Sequence, residues 1–302
     1  MYWTNGKNQL LPVQLSESTI KLENSGTFKT RGLELQLDGY LIQNRNFNWK
    51  SGLVFSRERS KVTNLGDRKL MLAGIENVAG SFAIDGQPLG VLMGTTYKRN
   101  EQGQMLIGEG FPIKNEELSI IGNPNPDFRL SWLNSLEYRN FSFSVMLDFK
   151  KGGDMWNGTW NMMNYFGTSQ YSADNRSITN YIFPGVLPDG STNNIPVNFY
   201  GNNLNENRWV RYGQYGVGED AIQDAGYLKL REISLGYRIL IRLFNEKTFM
   251  KLSLFATNIL LYSKYKGVDP DTNLTGSSNG FGLDYFNIPG VKTFGLSLNW
   301  QF

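Results

Sequence analysis

The sequence ends on the segment TFGLSLNWQF, in which apolar and small polar side chains alternate without interruption. Every second position is apolar, and these positions are Phe294, Leu296, Leu298, Trp300 and Phe302. A period of two residues is the pattern of a β-strand with one apolar and one polar face. The sequence therefore predicts a strand here.

The same alternation recurs along the chain in TRGLELQLDGYL, NFNWKSGLVF, DFRLSWLNSLEY, FSFSVMLDFK and TFMKLSLFATNI. In FSFSVMLDFK, for example, Phe143, Val145 and Leu147 are predicted to face away from Ser144 and Asp148. With YLKLREISLGYRI and a less regular strand near residues 2–10, the pattern predicts about eight strands in all.

The predicted connections alternate in length, and this alternation indicates the fold class. Short connections fall at residues 42–46, 138–141 and 241–247, and long ones at 11–27, 59–126, 152–226 and 263–292. Short periplasmic turns and long extracellular loops are typical of outer-membrane barrels, whose tilted strands need about 9–11 residues to cross. We therefore predict an all-β fold, an antiparallel transmembrane β-barrel. A soluble β-sandwich is the alternative, but two connections exceed 60 residues, which is unusual in a compact domain.

A barrel wall in hydrocarbon must be apolar outside, and the outward positions of the predicted strands carry almost no charge. Trp49, Trp132 and Trp300 are predicted to belong to the aromatic girdles at the membrane interfaces. Only YLKLREISLGYRI changes phase, because its apolar residues before Arg231 alternate out of step with those after it. We expect this strand to leave the hydrocarbon there, so that its outer face becomes wet.

Composition removes several classes of function. No apolar run approaches the roughly 20 residues of a membrane helix, and a net charge of +3 gives no nucleic-acid footprint. The chain has no histidine and no cysteine, which excludes Ser-His-Asp and Cys-His catalysis and thiolate or imidazole metal sites. We predict neither an enzyme nor a cofactor. The start MYWTNGKNQLLP also lacks the pattern of a secretory signal.

The segment IGNPNPDFRLSWLNSLEYRNFSFSVMLDFKKGGDMWNGT resembles the late barrel strands of the SusC/RagA family of TonB-dependent outer-membrane transporters. GYLKLREISLGYRI, FATNILLYSKYKGVDPD and GLDYFNIPGVKTFGLSLNWQF are similar to the family's last three strands in order and spacing. GTFKTRGLELQLDGYLI, followed by NFNWKSGLVFS, resembles an earlier hairpin. The resemblance covers essentially the whole chain.

The resemblance implies that residues 1–302 are the C-terminal portion of a barrel of about 22 strands, with the plug domain and earlier strands absent. Met1 would then be an internal start, a cut or a truncated reading frame. The resemblance also implies a Bacteroidetes-type outer membrane, a SusD-like surface lipoprotein as a lid, and TonB acting through the missing plug. The expected function is import of an oligomeric nutrient, a glycan or a peptide. The alternative is a structural subunit of an outer-membrane secretion or assembly complex.

The loop segment GGDMWNGTWNMMNYFG offers candidate cargo contacts, because aromatic rings beside amide and carboxylate groups suit sugar rings. The candidates are Asp154, Trp156, Asn157, Trp160 and Tyr165. The alternative is a short amphipathic helix packed inside the loop. Acidic residues outnumber basic ones in residues 152–226 by seven to three, which argues against a polyanionic cargo.

Two groups of charged residues raise chemical alternatives. Asp269, Asp271 and Asn273 alternate as calcium ligands do, but the Gly and distal Glu of an EF-hand loop are missing, and we predict a turn without metal. The strand residues Glu137, Asp148, Lys150 and Lys251 are predicted to line the lumen or to contact the plug. Glu137 and Asp148 could in principle form an acid–base pair for glycoside hydrolysis, but a solvated wall is favoured.

Trp300 and Phe302 resemble the aromatic C-terminal signal that the barrel-assembly machinery recognises in outer-membrane barrels. We predict that removing Phe302, or replacing both residues with serine, sharply lowers the amount of folded barrel in the outer membrane. Heat-modifiable gel mobility of isolated outer membranes measures this amount. Normal levels in both variants would contradict the signal.

Overall fold

The computed structural model describes residues 1–16, 19–75, 78–201, 207–213, 216–243, 246–276, 278 and 280–301; side chains at 10–16, 19–20, 241–243, 246–248 and 301 are not described. The described part consists mainly of β-strands with three short α-helices and a one-turn 3-10 helix at Gly218–Ala221. The strands are β1 Tyr2–Lys7, β2 Leu10–Ser16, β3 Thr19–Asn24, β4 Thr27–Gln43, β5 Phe47–Thr63, β6 Lys69–Ile75, β7 Ala79–Ile84, β8 Val91–Tyr97, β9 Ile107–Gly108, β10 Phe111–Pro112, β11 Lys114–Gly122, β12 Phe128–Tyr138, β13 Phe141–Lys151, β14 Asp154–Asn157, β15 Ile222–Asp224, β16 Tyr227–Leu243, β17 Glu246–Ser263, β18 Leu283–Asp284 and β19 Thr293–Gln301. The helices are α1 Gly158–Tyr165, α2 Gln170–Asn175 and α3 Arg208–Tyr212.

Eight of these strands form one antiparallel sheet in the order β1-β4-β5-β12-β13-β16-β17-β19. Each strand pairs with the next one of this set along the chain, as in an up-and-down barrel wall. Within the described residues, β1 and β19 form the two edges of the sheet. The prediction of about eight antiparallel strands is confirmed.

The strand register places the apolar side chains on one continuous face. Leu37 of β4 lies opposite Leu53 of β5, and Leu53 lies opposite Trp132 of β12. Trp132 in turn lies opposite Leu147 of β13, which lies opposite Leu230 of β16. Residues directly opposite in antiparallel strands share a face of the sheet. We call this the apolar face and the opposite one the polar face. Leu37 is 67% exposed, and a surface of such residues requires an apolar environment.

The phase change in β16 has a different cause from the one the sequence suggested. Val145 lies opposite Ile233, and Leu147 lies opposite Leu230, so β16 carries one extra residue between these pairs. Such a β-bulge, here at Arg231, resets the alternation. The apolar residues on both sides of it therefore share the apolar face. The phase change is therefore explained by the bulge and needs no exit of the strand from the hydrocarbon at this point.

Two of the tryptophans assigned to girdles have another role. The indole N–H of Trp49 donates to Asn134 Oδ1 at 3.0 Å, and that of Trp132 donates to Ser51 Oγ at 2.9 Å. Asn134 and Ser51 lie opposite each other on the apolar face. Polar groups there need a partner because hydrocarbon supplies none. Trp132 lies in the middle of its strand and is not a girdle residue, whereas Trp300 is next to the end of β19.

The ends of the sheet differ strongly. Residues 44–46 and 139–140 form tight connections between β4 and β5 and between β12 and β13, and we call this the short-turn end. The other strands and all three helices belong to the long connections at the opposite, long-loop end. No helix in the described ranges is long and apolar enough to cross a membrane.

The three largest connections pack around shared hydrophobic cores. One core joins Val78 and Leu92 from the β5–β12 connection with Trp156 and Ala221 from the β13–β16 connection and Leu283 from the β17–β19 connection. All five side chains are at most 1% exposed. Because each connection contributes to a common core, the long loops form one packed body above the sheet.

The two faces predict opposite responses to a charge. Leu147→Arg places a cation on the apolar face, at a cost of about 2–4 kcal/mol in mid-bilayer. Ser144→Arg is the matched control, because Ser144 lies on the polar face, 2.7 Å from Ser234 Oγ. Folded barrel in the outer membrane, measured by heat-modifiable mobility, should fall sharply only for Leu147→Arg. Equal tolerance of both changes would mean that the faces are assigned incorrectly.

Candidate functional site

Six charged side chains form a closed network where the polar face meets the long loops. We call them the charge cluster, and they are Lys150, Lys229, Arg231, Asp148, Asp269 and Asp271. Lys229 Nζ donates to Asp269 Oδ1 at 2.6 Å and to Asp271 Oδ2 at 2.8 Å. Arg231 Nη2 donates to Asp271 Oδ2 at 2.5 Å and to Asp148 Oδ2 at 2.8 Å. The cluster thus links the sheet to the β17–β19 connection.

The charge cluster is built at the bulge in β16. Strict alternation would place Lys229 and Arg231 on the same face and Glu232 on the other, but the bulge lets Glu232 return to the polar face. The bulged Arg231 reaches both Asp148 of β13 and Asp271 of the loop. Bulges commonly re-aim a side chain in this way.

Burial makes the charge cluster costly to disrupt. Lys229 is 3% exposed, Lys150 6% and Asp148 8%. Each charge of the cluster has an opposite charge as a neighbour, while the further cation Arg129 lies opposite Lys150 on β12. Removing one member of a buried pair leaves an uncompensated charge and costs about 3–5 kcal/mol.

The cluster also controls the ionisation of the loop carboxylate Asp271. Burial alone would raise its pKa, but hydrogen bonds from Lys229 and Arg231 lower the pKa to about 2. Lys150 adds a longer ion pair, with 3.9 Å between its Nζ and Asp271 Oδ1. Asp271 is therefore an anion at any physiological pH.

A groove of about 610 Å³ lies next to the wall of the cluster's loop, between helices α1 and α2 and the β17–β19 connection. We call it the aromatic groove, and its main lining residues are Trp160, Met163, Tyr171, Lys266, Val268 and Asn287. Cavities of this size hold small ligands or a segment of an oligomer.

One wall of the aromatic groove consists of two rings and a cation. The rings of Trp160 and Tyr171 are 5.5 Å apart between centroids and tilted by 36°. Lys266 Nζ lies 5.5 Å from the Trp160 centroid and 5.6 Å from the Tyr171 centroid. Met163 and Val268 are 39% and 50% exposed and add apolar surface. Asp174 supplies a carboxylate at the rim.

Helix caps and a buried carboxylate fix the rest of the groove. Asn157 Oδ1 accepts from the Trp160 N–H at 2.9 Å and caps α1. Asp284, 1% exposed, accepts hydrogen bonds from the hydroxyls of Thr159 and Tyr265. Burial raises the pKa of Tyr265, and its hydrogen bond to Asp284 raises it further. The groove therefore has a rigid floor formed by α1 and β18.

The structure gives the five predicted cargo residues different environments. Trp156 is 1% exposed and stacks on Tyr285, and Asn157 is fully buried as the cap of α1, so neither offers a free surface to cargo. Asp154 Oδ2 accepts from the Asn123 N–H at 2.8 Å, and Tyr165 packs edge-on against Phe166. Trp160 alone of the five presents partly exposed surface to the groove. The alternative of a short helix packed in the loop describes α1 well.

The four charged strand residues named from the sequence all belong to the polar face. Glu137 lies opposite Ser142, which is six residues from Asp148 along β13, or about 20 Å. This separation is too large for a carboxylate pair in glycoside hydrolysis. Lys251 lies opposite Arg238 near the short-turn end. Lys150 donates to the Pro270 carbonyl at 3.0 Å, within the charge cluster.

The calcium interpretation also fails on geometry. The Lys229 ammonium lies between Asp269 and Asp271, where a cation would have to bind. Among the residues with described side chains, no group of three or more metal-ligating side chains occurs. Of the proposed C-terminal signal, Phe302 lies outside the described residues, and Trp300 lies opposite Met250.

Sequence reasoning missed Lys229, Arg231, Tyr171 and Lys266. The sequence does contain a signal for the first two. Lys229 and Arg231 are two residues apart, and so are Asp269 and Asp271 on the β17–β19 connection. The sequence contains no comparable signal for the aromatic groove, because Tyr171 and Lys266 are brought together only by loop packing.

Comparison with known proteins gives a consistent result. No protein-family model matches the chain. TonB-dependent receptor P3 of Formosa agariphila is 24% identical over 316 residues, covering 93% of the chain and 29% of that receptor. TonB-dependent receptor P26 of the same organism is 23% identical, covering 100% of the chain and 32% of that receptor. The chain is thus similar over nearly all of its length to part of these TonB-dependent receptors. It spans about a third of the length of these relatives.

Solved structures show the same fold. The RagAB peptide transporter matches with a TM-score of 0.65 at 18% identity, over 98% of the chain and 32% of the solved chain. The RagAB peptide importer in its "open-open" state matches with a TM-score of 0.66 at 17% identity, over 99% and 32%. The predicted similarity to TonB-dependent receptors and the antiparallel barrel fold are confirmed.

The charge cluster predicts a definite pH dependence. Because the folded-state pKa of Asp271 is lowered from 3.8 to about 2, its links to Lys229 and Arg231 are fully present above about pH 4. They are lost as the pH falls through about 2. Hydrogen exchange of residues 266–273, corrected for intrinsic rates, should show constant protection from pH 7 to 4, and Asp271→Asn should lack this protection throughout. Loss of wild-type protection between pH 7 and 5 would contradict the assignment.

Proposed function

We propose that this chain forms part of the wall and the outer mouth of a TonB-dependent importer in the outer membrane. The apolar face supports membrane insertion, and the relatives supply the transport class. The chain would contribute eight strands, as its C-terminal portion, to a barrel of about 22. We infer that the short-turn end faces the periplasm and the long-loop end faces outside.

We propose that the aromatic groove is a cargo-binding site at the mouth of this importer. The observation that carries this proposal is a groove of about 610 Å³ among the long loops, with a partly exposed aromatic and apolar wall. Its rings and side-chain amides suit a segment of an oligomer with both apolar surface and hydrogen-bonding edges. A peptide and a glycan both have this character, and the likeness to the RagAB peptide transporter favours testing peptides first.

We further propose the partners of a Bacteroidetes-type transporter for this chain. They are a SusD-like surface lipoprotein as a lid, TonB acting through a plug, and the barrel-assembly machinery. Glu137, Asp148, Lys150 and Lys251 would then line the lumen or contact the plug. This proposal rests on the resemblance to the SusC/RagA family and on the polar face that carries these residues.

Uptake tests the cargo site directly. In the full-length receptor, Trp160→Ala removes the partly exposed ring of the groove and should lower uptake of its cargo about tenfold, which corresponds to about 1.4 kcal/mol. Phe166→Ala is the control, because Phe166 is 67% exposed, follows the same helix and lies outside the groove. Cells are supplied separately with fluorescent oligopeptide and oligosaccharide pools, and outer-membrane receptor levels are matched.

The outcomes separate the two function classes. Energy-dependent uptake of one pool, lowered by Trp160→Ala and unchanged by Phe166→Ala, is the expected result. Uptake that is equally affected by both changes would refute the groove as the cargo site. If the wild-type receptor imports neither pool and its deletion impairs secretion or assembly of other surface proteins, the structural-subunit alternative would replace the import proposal.

A further inference from the structure

We propose that the charge cluster is a latch that positions one wall of the aromatic groove. Lys266 and Val268 line the groove, and the next residues along the chain include Asp269 and Asp271, which Lys229 and Arg231 hold against the sheet. The positioning role rests on the proposed cargo site. The latch itself is a statement about residues 266–271, which we call the wall segment.

The wall segment is attached at both of its ends. At its start, the Lys266 backbone N–H donates to Gln223 Oε1 at 2.8 Å, and the hydroxyl of the preceding Tyr265 donates to the buried carboxylate of Asp284. After Val268, the attachment is the charge cluster. Val268 itself is half exposed, and Gly267 packs beside the Tyr265 ring. The position of the groove wall therefore depends on both attachments.

Lys229 is the central residue of the second attachment. Its ammonium is shared by both loop carboxylates, at 2.6 and 2.8 Å, in a position where it is 3% exposed. The Asp271 N–H donates to Asp269 Oδ1 at 2.8 Å, so the two carboxylates are close neighbours. Without the ammonium between them they repel each other, and the wall segment loses its strongest link to β16.

Directional ion pairs also define the position of the wall segment more narrowly than apolar packing would. Lys150 binds the carbonyl of Pro270, which lies between Asp269 and Asp271 in sequence. Arg231 binds the same oxygen of Asp271 as Lys229 does. A shift of the segment by one residue would separate every one of these pairs. Buried polar contacts can set register in this way.

The first test measures the wall segment without any cargo. In the full-length receptor, a spin label at Val268→Cys reports the mobility of the groove wall, and this chain contributes no other cysteine. Lys229→Met should raise the mobile fraction of the spectrum at least about twofold, because one attachment is lost. Lys61→Met, at an exposed lysine of β5 away from the groove, should leave the spectrum unchanged.

A compensating variant separates the latch from a general loss of folding. Lys229→Met combined with Asp269→Asn removes one charge of each sign and leaves Lys150 and Arg231 balanced by Asp148 and Asp271. The double variant should recover at least half of the lost immobilisation. Heat-modifiable mobility checks that every variant forms a barrel. Unchanged label mobility in Lys229→Met, or no recovery in the double variant, would overturn the latch.

The second test addresses the positioning role. Affinity of detergent-purified receptor is measured for the labelled oligomer pool that the wild-type protein imports. Lys229→Met should weaken binding about tenfold, and the double variant should restore at least part of this loss. Raised mobility with unchanged affinity would overturn the positioning role. If the wild-type receptor binds neither pool, the proposed cargo site fails, and the cargo-free label measurements still decide whether the latch exists.

Discussion

Hydrocarbon offers no hydrogen-bond partner to a backbone N–H or C=O group, and this constraint explains most of the architecture. Each central strand of the eight-stranded sheet is paired on both sides, and side chains alternate between an apolar and a polar face. The same constraint acts on side chains. Trp49 and Trp132 donate their indole N–H groups to Asn134 and Ser51, the polar residues that interrupt the apolar face. The tryptophans thereby combine a large apolar surface with hydrogen bonds to the Asn134 and Ser51 oxygens, which the membrane would leave unpaired.

At the long-loop end, water and protein surround the sheet instead of lipid, and ion pairs can hold the loops against the strands. The β16 bulge keeps the apolar residues on one face while letting Arg231 reach Asp148 and Asp271. The charge cluster then ties the β17–β19 connection to the polar face. The shared cores hold the three longest connections together. A local irregularity of one strand is thus connected, through ion pairs, to the shape of the groove above the sheet.

The odd–even pattern was sufficient to predict about eight wall strands and, away from the bulges, the side of the sheet that a residue occupies, because a period of two is a local property. It could not reveal the bulge at Arg231, because an extra residue looks the same in sequence as a strand that leaves the membrane. The aromatic groove was only partly predictable. Trp160 belongs to a recognisable segment, whereas Tyr171 and Lys266 reach it through loop packing. Trp156 and Asn157 are residue types that often contact ligands, and only their burial in the structure shows that they offer no surface to cargo.

The common core of the long connections limits how such a receptor can change its preference for cargo during evolution. Trp156 and Leu283 come from different connections and are both fully packed, so replacing one whole loop would leave cavities in its neighbours. Substitutions on the exposed groove surface, such as at Met163 or Val268, disturb no shared packing. Diversification is therefore expected to proceed by point changes on that surface rather than by exchange of complete loops.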